Sequence, residues 1–226
     1  MANFKPLGFD LVKSVWLTIF VLIAAGCGGT DAPAEATPLP QGMEFDEASQ
    51  IFELVPGSTE ARFLIGEILR GEPKTVIGKT DQVSGQLAVN LDDPSTAAVG
   101  PIQVDVRTLA TDNGFRNRAI ETRILLSRVF QYVTFTPTAI TGLPDTITPS
   151  DTVQFQIAGD LTIVETTNPV IFDVTAVPVS ETRIEGSART TIQRADFDLF
   201  VPSATGVAGV EEDVILEIDF AAEVPQ

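Results

Sequence analysis

From Ile51 onward, apolar and polar residues alternate along the chain with a period of two. Ile102, Val104 and Val106 alternate with Gln103, Asp105 and Arg107. Val153, Phe155, Ile157, Gly159, Leu161 and Ile163 share one parity, and Gln154, Gln156, Asp160 and Thr162 the other. Val214, Leu216, Ile218 and Phe220 are interleaved with Ile215, Glu217 and Asp219. Alternation of this kind predicts strands with one apolar and one wet face. Weaker alternation at 60–69, 72–79, 83–91, 131–140, 169–178 and 182–193 brings the expectation to about eight to ten strands. Turn signals such as Pro56-Gly57, Asp92-Asp93-Pro94 and Gly142-Leu143-Pro144 separate them. One stretch keeps another period. Within 115–130, Ile120, Ile124, Leu125 and Val129 recur near 3.6 residues, with Arg116, Arg118, Arg123 and Arg128 elsewhere around the cylinder. That predicts a short helix. An all-β chain with one short helix predicts an antiparallel barrel or sandwich. The long strands at 153–164 and 182–193 favour a barrel of about eight strands, because closure removes exposed edges. Such an interior is either filled by side chains or holds one small ligand, and periodicity leaves both open.

The first 27 residues follow a different pattern. Lys5 and Lys13 precede a hydrophobic run from Val15 to Ala25. The run is shorter than the roughly 20 residues a membrane span needs, and its length suits a secretory signal peptide. It ends in Ala24-Ala25-Gly26-Cys27, which resembles a bacterial lipobox, where small residues precede a Cys that is lipidated and becomes the N-terminus. A plain signal peptide with an incidental Cys is the alternative. The expectation is therefore a signal peptide over 1–26, a lipidated Cys27 with a Gly/Pro/acid-rich tether over 27–50, and a folded domain over 51–223. The anchor would place the domain outside the cytoplasm, on a membrane facing the periplasm or the cell exterior.

Composition narrows the chemistry. Among 226 residues there is one Cys and no His, and the formal net charge is −17. A Ser-His-Asp triad, a Cys-His pair and a zinc site using imidazole are excluded. A single Cys allows neither an intrachain disulfide nor a thiolate cluster. The acidic balance argues against a nucleic-acid partner. The runs Glu211-Glu212-Asp213 and Asp92-Asp93 lack the spacing of a calcium loop. Asp196 and Asp198 share a strand parity and could approach a sugar or a metal, but no third group completes such a site. No enzyme, metal or cofactor is expected. Cleavage after residue 26 would remove Trp16, the only Trp, and leave eleven Phe, one Tyr and a net charge of −18.

Four segments carry a resemblance. Ser58-Thr59-Glu60-Ala61-Arg62-Phe63 resembles the opening strand of the YceI-like family of secreted polyisoprenoid-binding barrels. Thr111-Asp112-Asn113-Gly114-Phe115-Arg116 resembles its T-x-N-x-x-R. Gly159-Asp160-Leu161-Thr162-Ile163 with Thr167-Asn168-Pro169-Val170 resembles its G-x-L-T-I…T-x-P-V strand pair. Thr190-Thr191-Ile192-Gln193-Arg194-Ala195-Asp196-Phe197 resembles its T-x-I-x-R-x-D-F. The sequence departs from the family pattern at Gly57 (usually His), Asn117 (Asp), Val133 (Pro), Glu165 (Gly), Asn168 (Lys or Arg) and Asp198 (Gly).

The resemblance implies an extended lipocalin-like barrel with an isoprenoid, quinone or related lipid in its interior. The inner wall would be formed by Phe63, Ile65, Leu87, Val104, Val106, Phe155, Ile157, Leu161 and Phe172. Each of these could equally pack a filled core, giving a surface barrel for interaction instead. Arg116 and Arg194 stand at family positions. They would meet either a ligand head group, as Arg binds phosphate bidentately, or carboxylates of the acidic domain. A homodimer is also open.

Overall fold

The computed structural model describes residues 48–225. The leader, Cys27 and the tether up to residue 47 lie outside the described residues. The chain opens with β1 (Gln50–Leu54), β2 (Glu60–Leu69) and β3 (Glu72–Thr80). Short strands follow: β4 (Val83–Ser84), β5 (Gln86–Val89), β6 (Ala98–Val99) and β7 (Ile102–Asp105). The helix α1 (Gly114–Ala119) leads through a π turn over Ile120–Ile124 to β8 (Tyr132–Thr141). The long strands are β9 (Val153–Ile163), β10 (Thr166–Ser180) and β11 (Arg183–Gln193). After β12 (Val207–Ala208), β13 (Asp213–Glu223) ends the fold.

Every pairing between these strands is antiparallel, in one curled sheet that follows the order β4-β7-β8-β9-β10-β11-β13. At β13 the partner changes along the strand. Val214 to Asp219 pair with β2, and Ala222 and Glu223 with β1. β2 pairs with β3, and β3 runs on through two residues into β4, which pairs with β7. The Asp105 amide bonds the Gln82 carbonyl at 2.9 Å, and Lys79 bridges Ala110, which draws the two ends of the sheet together. Counted this way, eight sides surround the interior, as the periodicity predicts. The extra strands are the two-residue β6 and β12 and the pair β1 and β5.

Prolines mark where pairing stops. Pro137 lies in β8 beyond the reach of β7, and Pro169 lies in β10 before its pairing with β11 begins at Asp173. Their missing N–H groups therefore face unpaired sides of the sheet.

The predicted helix takes another shape. Its α-helical part is six residues, capped by the Asn113 side chain, which accepts from the amides of Phe115 and Arg116. At Ile120 the ladder widens to i→i+5, with the Leu125 amide on the Ile120 carbonyl at 2.9 Å. The extra residue shifts the helical phase. Ile120, Ile124 and Leu125 still face inward, but Val129 turns outward and is 76% exposed, against the expectation. The strand reading of Asp196 and Asp198 is also corrected. Arg194–Phe197 form a 3₁₀ turn that ends on Asp198 in the left-handed region, φ 54°. Alternation there is broken because Phe197 is drawn into the core at 2% exposure.

Candidate functional site

The inward parities of the strands enclose two apolar cavities. The first, of about 150 Å³, lies toward the loops 90–97 and 142–152, and every residue lining it is Ala, Val, Leu, Ile, Phe or Pro. The second, of about 220 Å³, runs to the opposite end, beneath α1 and the π turn. They share Ile102, Phe135, Phe172 and Ile218, so they are two lobes of one interior that meet at a waist. The rings of Phe135 and Phe172 stand there edge to face, centroids 4.9 Å apart at 63°. This is a preferred aromatic geometry.

The motif glycine of G-x-L-T-I explains how Phe135 reaches the waist. A Cβ on Gly159 would lie 2.5 Å from the Thr136 carbonyl oxygen and 2.7 Å from the Phe135 ring. Only glycine leaves room for the ring to cross β9 there.

The inner-wall residues read from the sequence fall on this interior. Leu87, Phe155 and Ile157 line the first lobe, and Phe63, Ile65, Val104, Val106 and Leu161 the second. Phe172 lines both. Phe135 was missed, although Val133 and Phe135 alternate with Thr134 and Thr136.

Among the described residues, charged side chains line the second lobe and not the first, and Glu67 and Arg116 stand at its far end. Ala61, Phe63, Ile65 and Glu67 share the inward parity of β2, so Glu67 is a charge on an apolar row, 7% exposed. Arg116 Nη2 lies 2.7 Å from its Oε1, and Nη1 lies 2.7 Å from Asp112 Oδ1. Lys74 Nζ sits 2.5 Å from the other Asp112 oxygen. Lys74 holds the Asp112 carboxyl below its ordinary pKa, with Arg116 adding to the effect. The chain Glu67–Arg116–Asp112–Lys74 thus fastens α1 over the mouth of the lobe.

The T-x-N-x-x-R motif builds this clasp. Asn113 starts the helix, and Asn117 Oδ1 accepts from the Thr111 amide at 2.8 Å and from its hydroxyl at 2.6 Å. Asn117 stands where the family usually has Asp, and its amide oxygen accepts both bonds. The departure therefore leaves the geometry in place.

Arg194 is likewise engaged. It donates to the carbonyls of Glu211 (3.0 Å) and Leu199 (3.3 Å) and pairs with the Glu212 carboxylate. It ties the loop after β11 to the approach of β13 and sets Leu199 and Val201 against the second lobe. Both motif arginines are thus partnered by carboxylates. The outer face carries its own ladder, in which Arg62 pairs with Glu217 (2.7 Å) and Asp219 (2.5 Å), and Arg189 pairs with Glu217.

Two further departures have backbone reasons. Asp198 replaces a usual Gly at a positive φ, where Asp is among the more tolerated side chains. Asn168, in place of a basic residue, donates from Nδ2 to the Asp196 carbonyl at 2.6 Å.

Asp105 sits on the wet face of β7 and is 9% exposed. Burial disfavours its charge. Hydrogen bonds from the Arg107 side chain, the Arg107 amide and Gln131 outweigh that and hold the carboxyl below its ordinary pKa. A lowered carboxyl pKa stabilises the fold above the unfolded value, and that stability is lost as pH falls through the folded value. Asp105→Asn is expected to cost about 1–2 kcal/mol at neutral pH. The difference from the native protein should shrink below about pH 4. Urea unfolding across that range checks it; a difference that does not change with pH would refute the charge argument.

Among the described residues, no group of three His, Cys, Asp or Glu side chains could hold a metal ion. None of their helices is long and apolar enough to cross a membrane. What remains is a β-barrel whose notable feature is an apolar interior in two lobes, with a clasped helix over one end. Residues 52–222 match the YceI-like domain, and the chain belongs to the YceI-like family.

Solved structures share the fold. The polyisoprenoid-binding domain from Saccharophagus degradans implicated in plant cell wall breakdown has a TM-score of 0.59 at 12% identity, covering 77% of this chain and 98% of that one. BcnA of Burkholderia cenocepacia has a TM-score of 0.58 at 15% identity, covering 74% and 98%. The Campylobacter jejuni YceI protein has a TM-score of 0.55 at 16% identity, covering 66% and 85%. No curated protein matches the sequence.

Proposed function

We propose that the barrel binds one long apolar ligand, an isoprenoid, quinone or related lipid, and carries or sequesters it outside the cytoplasm without acting on it chemically. The observation that carries this reading is the two-lobed interior, with one lobe lined wholly by apolar side chains. A barrel filled by its own side chains would leave no such lobes, and an apolar cavity of this size stays dry and takes up apolar molecules. Each buried CH₂ contributes about 0.8 kcal/mol, so a long chain is held without a strong polar contact. The ligand's polar end would sit at the second lobe, the one with charged residues in its lining among the described residues. The Saccharophagus degradans domain with this fold is described as polyisoprenoid-binding, which supports the same class of ligand. The extracytoplasmic placement rests on the leader and Cys27.

Native mass spectrometry of the protein purified from its host membranes tests both parts. An added mass that extracts into organic solvent is expected for the ligand. A chain beginning at an acylated Cys27 is expected for the anchor. A protein that is always empty and takes up neither quinone nor polyprenyl phosphate would sink the carrier reading. An unmodified Cys27 would sink the anchor alone.

A further inference from the structure

Eight large hydrophobic side chains are exposed among the described residues, and five of them gather at one end of the barrel. Phe115 is 90% exposed, Val129 76% and Phe200 72%, with Leu126 and Tyr132 partly exposed beside them. Phe115, Leu126 and Val129 belong to the lid formed by α1, the π turn and the turns that follow. Phe200 belongs to the loop after β11. The same segments send Ile120, Ile124, Leu125, Leu199 and Val201 inward to line the second lobe. The lid is therefore apolar on both surfaces, although only one has a partner among the described residues. Leu126 holds the exposed turn in the left-handed region, φ 49°.

Charge is concentrated at the same place. Residues 107–130 contain five arginines and two acids, a net +3 in a chain whose total is −17. Arg107 is paired with Asp105, Arg116 with Glu67 and Asp112, and Arg128 with Glu121. Arg118 and Arg123 have no ion-pair partner among the described residues, despite the abundance of carboxylates elsewhere. Arg107, Arg118 and Arg128 line one open polar cleft of about 510 Å³ beside α1. Exposed aromatic and aliphatic side chains flanked by unpaired arginines suit the boundary between lipid head groups and acyl chains. Basic residues near an anionic leaflet are attracted to it. The neighbouring segment 194–213 carries Asp196, Asp198, Glu211, Glu212 and Asp213, so the attraction is confined to the lid itself.

We propose that this end of the barrel docks on an anionic lipid surface. Phe115, Val129 and Phe200 enter the head-group layer, and Arg118 and Arg123 meet lipid phosphates. The occupant is a membrane rather than a second copy or a protein, because the lid, residues 107–130, is cationic on an acidic chain and the lid of a second copy would bring like charge to like. Docking would set the mouth of the second lobe against the bilayer, a direct path for an apolar ligand. That consequence rests on the carrier reading; the docking itself would hold for an empty barrel.

The test uses the full chain with Cys27→Ser and a nitroxide on Phe115→Cys, compared with a nitroxide on Val179→Cys near the opposite end. Vesicles are phosphatidylcholine alone, or phosphatidylcholine mixed with phosphatidylglycerol. The leader is present with both kinds of vesicle, so any contribution it makes cancels. On the anionic vesicles, the ratio of oxygen to nickel-chelate accessibility at position 115 should rise several-fold, with no change at 179. About 1 M salt, which shortens the Debye length to about 3 Å, should reverse the rise, as should Arg118→Glu with Arg123→Glu. Equal protection on neutral vesicles, or a label that stays in water on both, would overturn the proposal. Protection without vesicles would overturn it too. It would assign the face to the leader or, if the labels couple magnetically, to a second copy; protection conferred only by vesicle-free host extract would assign it to a protein. Each of these results is independent of whether the barrel holds a ligand.

Discussion

Arg116→Met is expected to lower the free energy of unfolding by about 3–5 kcal/mol. Adding Glu67→Leu should restore most of that loss. Glu67 occupies the inward parity of β2 after Ala61, Phe63 and Ile65, and only 7% of it is exposed. Its carboxylate can remain there because Arg116 reaches down from α1 to 2.7 Å. Met preserves the length and apolar stem of Arg but leaves the carboxylate facing a dry lobe with no cation. Removing one partner of a buried pair is costly because the other charge is stranded, whereas replacing both by apolar groups is often neutral or favourable. Asp112 keeps Lys74 in either variant, so the single loss reports on Glu67.

Urea unfolding of the native chain, both single variants and the double variant forms a cycle. A double variant as unstable as Arg116→Met would mean that the arginine is needed for something other than neutralising Glu67. The double variant also separates two roles for the motif arginine. If Arg116 is a clasp, a refolded double variant still takes up an apolar ligand. If it is a head-group contact, the fold returns and uptake of polyprenyl phosphate does not.

The strands were legible because each long strand has one wet and one dry face. β2 and β9 fall within a residue of the ranges that alternation gives. β4, β6 and β12 are two residues each, too short to show any period. β1 alternates over only five residues beside the acidic tether. The lid was legible as a helix but not as a π turn, since one added residue in a ladder changes phase without changing composition. Glu67 carried a visible signal, a charge on an apolar row. Its partner lies 49 residues away, and no local pattern links the two. Alternation reports which way a side chain points and says nothing of whether the opposite walls touch. The choice between a filled and a hollow barrel therefore waited on the two lobes. The motif glycine at 159 shows the same limit. Its place in a strand was plain, but the ring of Phe135 it accommodates belongs to the neighbouring strand.

The largest effect on binding is expected at the waist. Ile218 lies on β13 and is one of the four residues common to both lobes. Directly across from it stand Ala61 on β2 and Ala188 on β11. These small neighbours leave lateral room, so Ile218→Trp can fill the waist with less backbone strain than bulk at Gly159 would impose. A ligand that spans both lobes would then be confined to one. Excluding a single isoprene unit of five carbons removes about 4 kcal/mol of burial, close to a thousandfold in affinity. Binding of a C10 isoprenoid, short enough for one lobe, should change little. Overpacking of a core costs about 1–3 kcal/mol, so a melting curve must accompany the measurement, and Ile218→Phe serves if Trp unfolds the barrel. Titration with isoprenoids of increasing length gives the result directly. In the native protein affinity should climb with length past the waist, and in the variant it should stop climbing there. A folded variant that still gains affinity with every added unit would mean that the chain does not pass the waist beside Ile218.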